Sequence, residues 1–233
     1  VKHNVDFNEQ WRLKTQLFIS EHKYALGGKI IPAPIETFIN GQIEEKDKGI
    51  ELNLIYTGEQ SARMLFGAEY RTPELTNTDA NTYGAFNQYL PQAPTTGRTI
   101  KGAFFQYQDA ISENVEYIIG ARHDHYSDFG SHLSPRLGVN WQLNAEQVIK
   151  FIYGNSFRAP SRSETDVINS NAFVKNSNLK PEIFSTYDVL WQYSDDATHF
   201  SVDVFYNQVE DAVRQTQTSP ITFINQGSGH SRD

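Results

Sequence analysis

The sequence predicts an all-β chain: part of an antiparallel transmembrane β-barrel, with long extracellular loops and short periplasmic turns. Three observations carry this expectation. Apolar and polar residues alternate with period two in about ten segments. The connections between those segments alternate long and short. Several of the apolar faces end in Tyr or Trp.

The segments succeed one another along the chain. A first strand fits near Trp11–Ser20. In "GIELNLIYTG", Ile50, Leu52, Leu54 and Tyr56 share one face, and Glu51, Asn53 and Thr57 share the other. "ARMLFGAEYR" sets Met64, Phe66, Ala68 and Tyr70 against Arg63, Glu69 and Arg71. Another strand fits Thr99–Asp109. "NVEYIIGARHD" then places Val115, Tyr117, Ile119 and Ala121 opposite Asn114, Glu116, Arg122 and Asp124. Two more fit Leu133–Gln142 and Gln147–Phe157. "TYDVLWQYS" aligns Tyr187, Val189, Trp191 and Tyr193, and "HFSVDVFYNQ" aligns Phe200, Val202, Val204 and Tyr206. A weaker candidate lies around Ile221–Asn225. Successive side chains of a strand point to opposite faces, so each pattern describes a two-faced wall. No stretch holds a helical period.

The connections add a second signal. Residues 21–48 read as a long link, "GEQSA" as a short one, residues 72–97 as long and "AISEN" as short. "SDFGSH" is medium, "NAEQ" short, residues 158–180 long and "SDDAT" short. A soluble sandwich has no reason to keep every second link short. A barrel in an outer membrane does, because its turns on one side of the membrane are tight. Tyr56, Tyr70, Trp141, Tyr193 and Tyr206 stand where aromatic girdles would meet lipid headgroups.

Composition narrows the function classes. The chain has 233 residues, 38% of them hydrophobic, and no run approaches the roughly 20 apolar residues of a membrane helix. Cysteine is absent, which removes disulfide scaffolds and thiolate metal sites. A net charge of −8 without a basic stripe argues against nucleic acid as a partner. The opening "VKHNVDFNEQW" has no signal-peptide core, and it and the ending "NQGSGHSRD" read as interior cuts.

Five motifs occur in one order over Gly120–Ser228. "GARHDHYSDFGSHLSPRLGVNW" resembles the Gly-x-Arg-Tyr-Asp-x-Tyr-Ser-Asp-Phe-Gly-Ser…Pro-Arg stretch of TonB-dependent outer-membrane receptors. "YGNSFRAPSRSE" resembles their Tyr-Gly-x-x-Phe-Arg-Ala-Pro-Ser box. "NSNLKPEIFSTYDV" is similar to their Asn-Pro-Asn-Leu-Lys-Pro-Glu box, with Ser177 where Pro is usual. "DVFYNQVEDAV" and "FINQGS" resemble the segments downstream of those boxes in the same family. The family-motif residues are Arg122, Asp124, Ser127, Asp128, Phe129, Gly130, Pro135, Arg136, Phe157, Arg158, Ala159, Pro160, Asn178, Leu179, Lys180, Pro181 and Glu182.

The resemblance implies barrels of about 22 strands with a plugged lumen. Residues 1–233 would then form a partial barrel domain, without the plug and the closing strands. It also implies energised import of a scarce nutrient complex, most often a ferric siderophore, across a Gram-negative outer membrane. The implied partners are the iron–siderophore complex, the TonB energy-coupling complex acting through the plug, and outer-membrane lipid. No cofactor and no enzymatic step are implied.

Several single residues also admit plainer readings. In "RHDHYSDFGSH", alternation puts His123 and His125 on the lipid side and Asp124 on the lumen side, so the three do not converge on a metal. "SDFG" reads as a turn in which Asp128 bonds the backbone and Gly130 supplies positive φ. "FRAPS" offers Arg158 and Arg162 as an anion loop, or Pro160 as a strand stop with Arg158 paired to nearby acids. Glu182 and Asp188 show no sign of an acid–base couple. Ser156, Ser161 and His132 lack a nucleophile elbow. No His lies between the "FRAP" and "SNLKPE" boxes, which counts against haem. The loop "NTDANTYGAFNQYLPQ" offers Tyr83, Phe86 and Tyr89 as flat contact area and Asn87 and Gln88 as hydrogen-bonding groups for a ligand. Two other readings stay open: a soluble β-sheet module binding carbohydrate, and a metal-dependent enzyme on the His/Asp cluster.

Overall fold

A computed structural model describes residues 1–31, 37–84, 97–165, 174–217 and 220–232. One antiparallel sheet dominates them. Its strands are β1 (Lys2–Asp6), β2 (Trp11–Ile31), β3 (Thr37–Thr57), β4 (Arg63–Arg71), β5 (Glu74–Gly84), β6 (Ile100–Ser112), β7 (Val115–Tyr126) and β8 (Gly130–Gln142). They continue with β9 (Gln147–Arg158), β10 (Glu182–Ser194), β11 (His199–Glu210) and, last in the chain, β14 (Gly229–Arg232). The pairing path is β1-β2-β3-β4-β6-β7-β8-β9-β10-β11-β14, with β5 attached beside β3. A short helix, α1 (Arg162–Thr165), interrupts the link after β9. The path has two ends, β1 and β14, and these do not pair with each other. It is an open piece of barrel wall.

Strand register places the alternating residues side by side. Leu54, Phe66, Phe105, Ala121 and Pro135 form one row across β3, β4, β6, β7 and β8. Neighbouring aromatic pairs stack along the same face, such as Phe66 with Phe105 at 5.0 Å. Toward the short turns this face ends in Trp11–Tyr56 and Trp191–Phe200 pairs, 4.9 and 5.7 Å between ring centroids. Toward the long connections it ends in Tyr153–Tyr187 and Tyr187–Tyr206 pairs. Tyr56 and Tyr70 mark the two limits on β3 and β4. Since Tyr56 pairs with Met64, they lie six residues apart along β4, roughly 20 Å at strand rise. With the rings extending it, that matches an apolar band about 25 Å tall.

Nothing among the described residues covers that band. Tyr187, Val202 and Val204 are 43%, 41% and 55% exposed, and among the described residues the buried core hydrophobics are Ile100 and Leu179. A sandwich of this size would enclose a dry core between its layers. The wall has none, so the carbohydrate-module reading loses its physical footing.

Three expectations need correction. First, residues 21–31 and 37–48, expected within one long link, are strand. β2 and β3 each run 21 residues and stay paired far beyond the apolar band. Ion pairs hold the extension: Lys23 to Glu44 at 3.0 Å and Lys46 to Glu21 at 2.5 Å. No apolar alternation runs through this part of the sequence, so no local pattern betrays the strand. Second, β5 lies in the next supposed loop and pairs with this polar part of β3. Third, the strand around Ile221–Asn225 does not join the wall. Val213–Gln215 (β12) and Phe223–Asn225 (β13) make their own small sheet, and β14 takes the edge of β11. β1 carries no apolar pattern and was not expected. The wall therefore has more strands than the ten or so anticipated.

The two faces predict opposite responses to charge. Val204, opposite Val189 in mid-band, should tolerate lysine poorly. A Val204→Lys substitution should cost about 2–4 kcal/mol of folding stability in a bilayer. Ser201→Lys on the polar face should cost far less. Heat-modifiable gel mobility of the folded receptor across a urea series measures both.

Candidate functional site

The polar face carries a connected set of charges. Arg71 on β4 pairs with Asp47 on β3 and lies 3.4 Å from Glu69. Arg122 on β7 reaches Glu69 at 2.6 Å and Asp124 at 2.7 Å, and its guanidinium lies 5.3 Å from the centre of the Phe104 ring. Gly67 makes room for that ring, since a Cβ there would collide with Phe104. Arg136 lies against Gly120 and donates to Gln106. Asp47, Asp124 and Glu182 are the buried charged residues of the described chain, and each faces an arginine. Removing one partner would strand a charge, which makes these pairs expensive to break.

A second cluster sits beyond the band, where β9 ends and β10 begins. Tyr153 and Tyr187 pair at the band's edge, and Arg158 pairs with Glu182 five residues further on, roughly 17 Å along the strands. Arg158 donates to Glu182 and to Glu164 of α1, the latter at 3.0 Å. Glu164 also accepts from the Ser161 backbone N–H at 2.7 Å. Glu182 accepts from the Val213 N–H at 2.7 Å, tying β12 to the strand. The hydrogen bond from Arg158 holds the Glu182 carboxyl below the usual carboxylate range, against the opposing effect of burial. Glu164 is also lowered: burial pushes it up, but Arg158 and the Ser161 donors outweigh it. So "FRAPS" is a strand stop with a paired arginine. Glu182, read from the sequence as no part of an acid–base couple, is shifted by its arginine partner, and the cause is structural.

The remaining motif residues bind loops to the wall. Leu179 and Pro160 are buried. Asn225 brackets Lys180, accepting its N–H at 2.8 Å and donating to its carbonyl at 2.9 Å. Asn178 donates its N–H to the Asn176 side chain at 3.0 Å. Together the "SNLKPE" and "FINQG" boxes form one docked unit. Pro135, without an N–H, stands where the β8–β9 ladder stops at Arg136. Gly130 has φ of 87°, as the turn requires. Ser127 Oγ accepts the Thr99 N–H at 3.0 Å. The Asp128 carboxylate, expected to bond its own turn, is taken by Arg98 at 2.7 Å instead.

The histidines diverge. Asp124 turns to Arg122, His125 Nδ1 lies 2.9 Å from Ser131 Oγ, and His132 Nε2 lies 3.0 Å from Asn155 Oδ1. Among the described residues no group of three His, Asp or Glu is placed to hold a metal ion. Of the proposed ligand-contact residues, Tyr83 lies on β5 opposite Phe38. Phe86, Asn87, Gln88 and Tyr89 lie outside the described residues. The local pattern missed Asp47 and Arg98; Asp47 shares strand parity with Glu51 and Asn53, whereas Arg98 lies in a connection that has no period.

A two-faced antiparallel wall with an uncovered aromatic-edged band is the architecture of an outer-membrane β-barrel. The TonB-dependent receptor-like β-barrel family model matches residues 1–232, and the chain belongs to that family. It lies in the outer membrane of a Gram-negative bacterium, and its family is one of receptors rather than enzymes. The iron-regulated outer membrane virulence protein of Vibrio cholerae is 28% identical over 116 residues, covering 47% of this chain and 18% of that protein. The vitamin B12 transporter BtuB of Vibrio vulnificus is 24% identical over 156 residues, covering 66% and 23%. The structure of the ferric enterobactin receptor PfeA of Pseudomonas aeruginosa, in complex with enterobactin, aligns with a TM-score of 0.72. It covers 99% of this chain and 39% of that one at 13% identity, and shows shared fold. The chain thus spans about a fifth of the curated relatives it matches.

The lowered Glu182 fixes the sign of a pH effect. Its ion pair stabilises the docked loops above the pKa of a free carboxylate and loses that contribution as pH falls through the lower, folded value. Arg158 is 42% exposed, so solvent screening holds the effect to about 1 kcal/mol. Limited proteolysis between residues 174 and 181 should stay slow near neutrality and accelerate below about pH 4. Glu182→Gln should be cut faster at neutral pH and lose most of the acid response.

Proposed function

We propose that this chain is wall and loop roots of a receptor that captures an iron–siderophore complex for TonB-coupled import. The reading rests on one observation above all: an arginine- and carboxylate-lined polar face backed by an uncovered apolar face. Such a wall separates a wet lumen from lipid. A ligand taken through the lumen would pass along that polar face. Residues 1–233 serve as one partial barrel domain, and a plug and closing strands elsewhere in the receptor complete the cylinder. The plug fills the lumen and is displaced by the inner-membrane coupling complex to open a path.

Ligand contact falls to the loop end of the wall. Tyr83, Phe86, Asn87, Gln88 and Tyr89 supply aromatic area and amide groups suited to an oxygen-rich chelate. A relative named as iron-regulated, and a ferric enterobactin receptor solved with enterobactin, support iron–siderophore over other cargo. A relative named for vitamin B12 supplies the second reading, a corrinoid.

Titration calorimetry of the full-length receptor in detergent separates these. Ferric enterobactin should bind with micromolar or tighter affinity, on the order of 8 kcal/mol or more, and cyanocobalamin should not. Growth of a receptor-deleted strain on ferric siderophores as sole iron source should fail and be restored by the intact gene. Binding of cyanocobalamin alone would replace the siderophore reading with the corrinoid one.

A further inference from the structure

Arg98 lies just before β6, where the connection through residues 85–96 rejoins the wall. Its backbone N–H donates to the Pro73 carbonyl at 3.0 Å, and Gly97 bridges Glu74, so the root of that connection is closed on itself. The side chain then leaves its own segment. Nη2 donates to Asp128 Oδ2 at 2.7 Å and to the Pro160 carbonyl at 2.9 Å. The guanidinium lies 5.7 Å from the centre of the Tyr126 ring and 5.4 Å from that of Phe129. Those two rings stack at 4.4 Å, and Phe157 meets Tyr126 edge-on at 5.5 Å. A return contact closes the arrangement: Arg162 of α1 donates to the Gly97 carbonyl and lies 3.7 Å from Asp128.

Three segments distant in sequence therefore converge on one guanidinium. They are the root at Gly97–Thr99, the Ser127–Gly130 turn, and the stretch from Pro160 to Thr165. The side chain of Arg98 is only 11% exposed, although it sits among loops, and Pro160 is fully buried. Desolvation strengthens each of these charge-assisted bonds. The flat fork is required, because it must stack on rings while donating to two acceptors. A lysine ammonium is a point charge that cannot do both.

We propose that Arg98 is a positioning residue for ligand capture. It clasps the roots of two long extracellular connections, at Gly97 and at Arg162–Thr165, to the Ser127–Gly130 turn, so that they meet a ligand as one body. The capture role rests on the receptor function proposed above; the clasp itself does not.

Hydrogen exchange of the full-length receptor in detergent tests the clasp. Arg98→Ala should raise exchange about tenfold or more at Gly97–Thr99, Ser127–Gly130 and Ser161–Thr165 together, and Arg98→Lys should restore little. Loosening confined to Gly97–Thr99 would overturn the proposal. Should Arg98→Ala fail to fold, Asp128→Asn removes only the shared carboxylate and should loosen the same three segments; unchanged exchange there would equally overturn it. Calorimetry with ferric enterobactin tests the capture role. Arg98→Ala should weaken binding about tenfold with the barrel's heat-modifiable mobility unchanged, and unaltered affinity would reduce Arg98 to loop architecture. Failure of the wild-type receptor to bind this probe would strike the siderophore reading, while the exchange result would stand by itself.

Discussion

Every backbone N–H and C=O that crosses hydrocarbon needs a partner on an adjacent strand, because lipid offers none. That constraint organises the whole wall. It demands continuous antiparallel ladders, and β3 through β11 supply them with few register shifts. With pairing committed to the ladders, side chains alone distinguish lipid from lumen, and alternation is the result. The same constraint bears hardest on β1 and β14, the unpaired edges of the described wall, since an open edge in a bilayer is costly.

The polar face solves a different problem. Carboxylates such as Asp47, Asp124 and Glu182 are buried, and each is matched by an arginine from a neighbouring strand or its own. Long side chains lie along the wall, not across the lumen, because glycines leave them space: Phe104 over Gly67, Arg136 against Gly120. Flat packing keeps these side chains close against the wall while the wall stays charged.

Much of the wall was readable from local pattern. Segments from Ile50 onward alternate because one face meets lipid and the other water, and the parity that put Asp124 opposite His123 and His125 survives in the register. That alternation is missing from the far parts of β2 and β3 and from β5, so these looked like loops. The small β12–β13 sheet was misplaced because three-residue strands carry no period. Partner choice was invisible for another reason. Asp47 finds Arg71 and Arg158 finds Glu182, each 24 positions apart, through strand register alone. Arg98 shows the limit most clearly. It occupies an unpatterned connection, and only the approach of two other loops gives it a role.

The long hairpin of β2 and β3 has a consequence for the cell that carries it. Twenty-one residues of strand measure roughly 70 Å, far more than the hydrocarbon layer they cross. Even steeply tilted, the paired strands run past the lipid headgroups, and the Lys23–Glu44 and Lys46–Glu21 ion pairs lie on that extension. A hairpin of that length carries charged side chains out past the lipid surface, within reach of molecules in the surrounding medium.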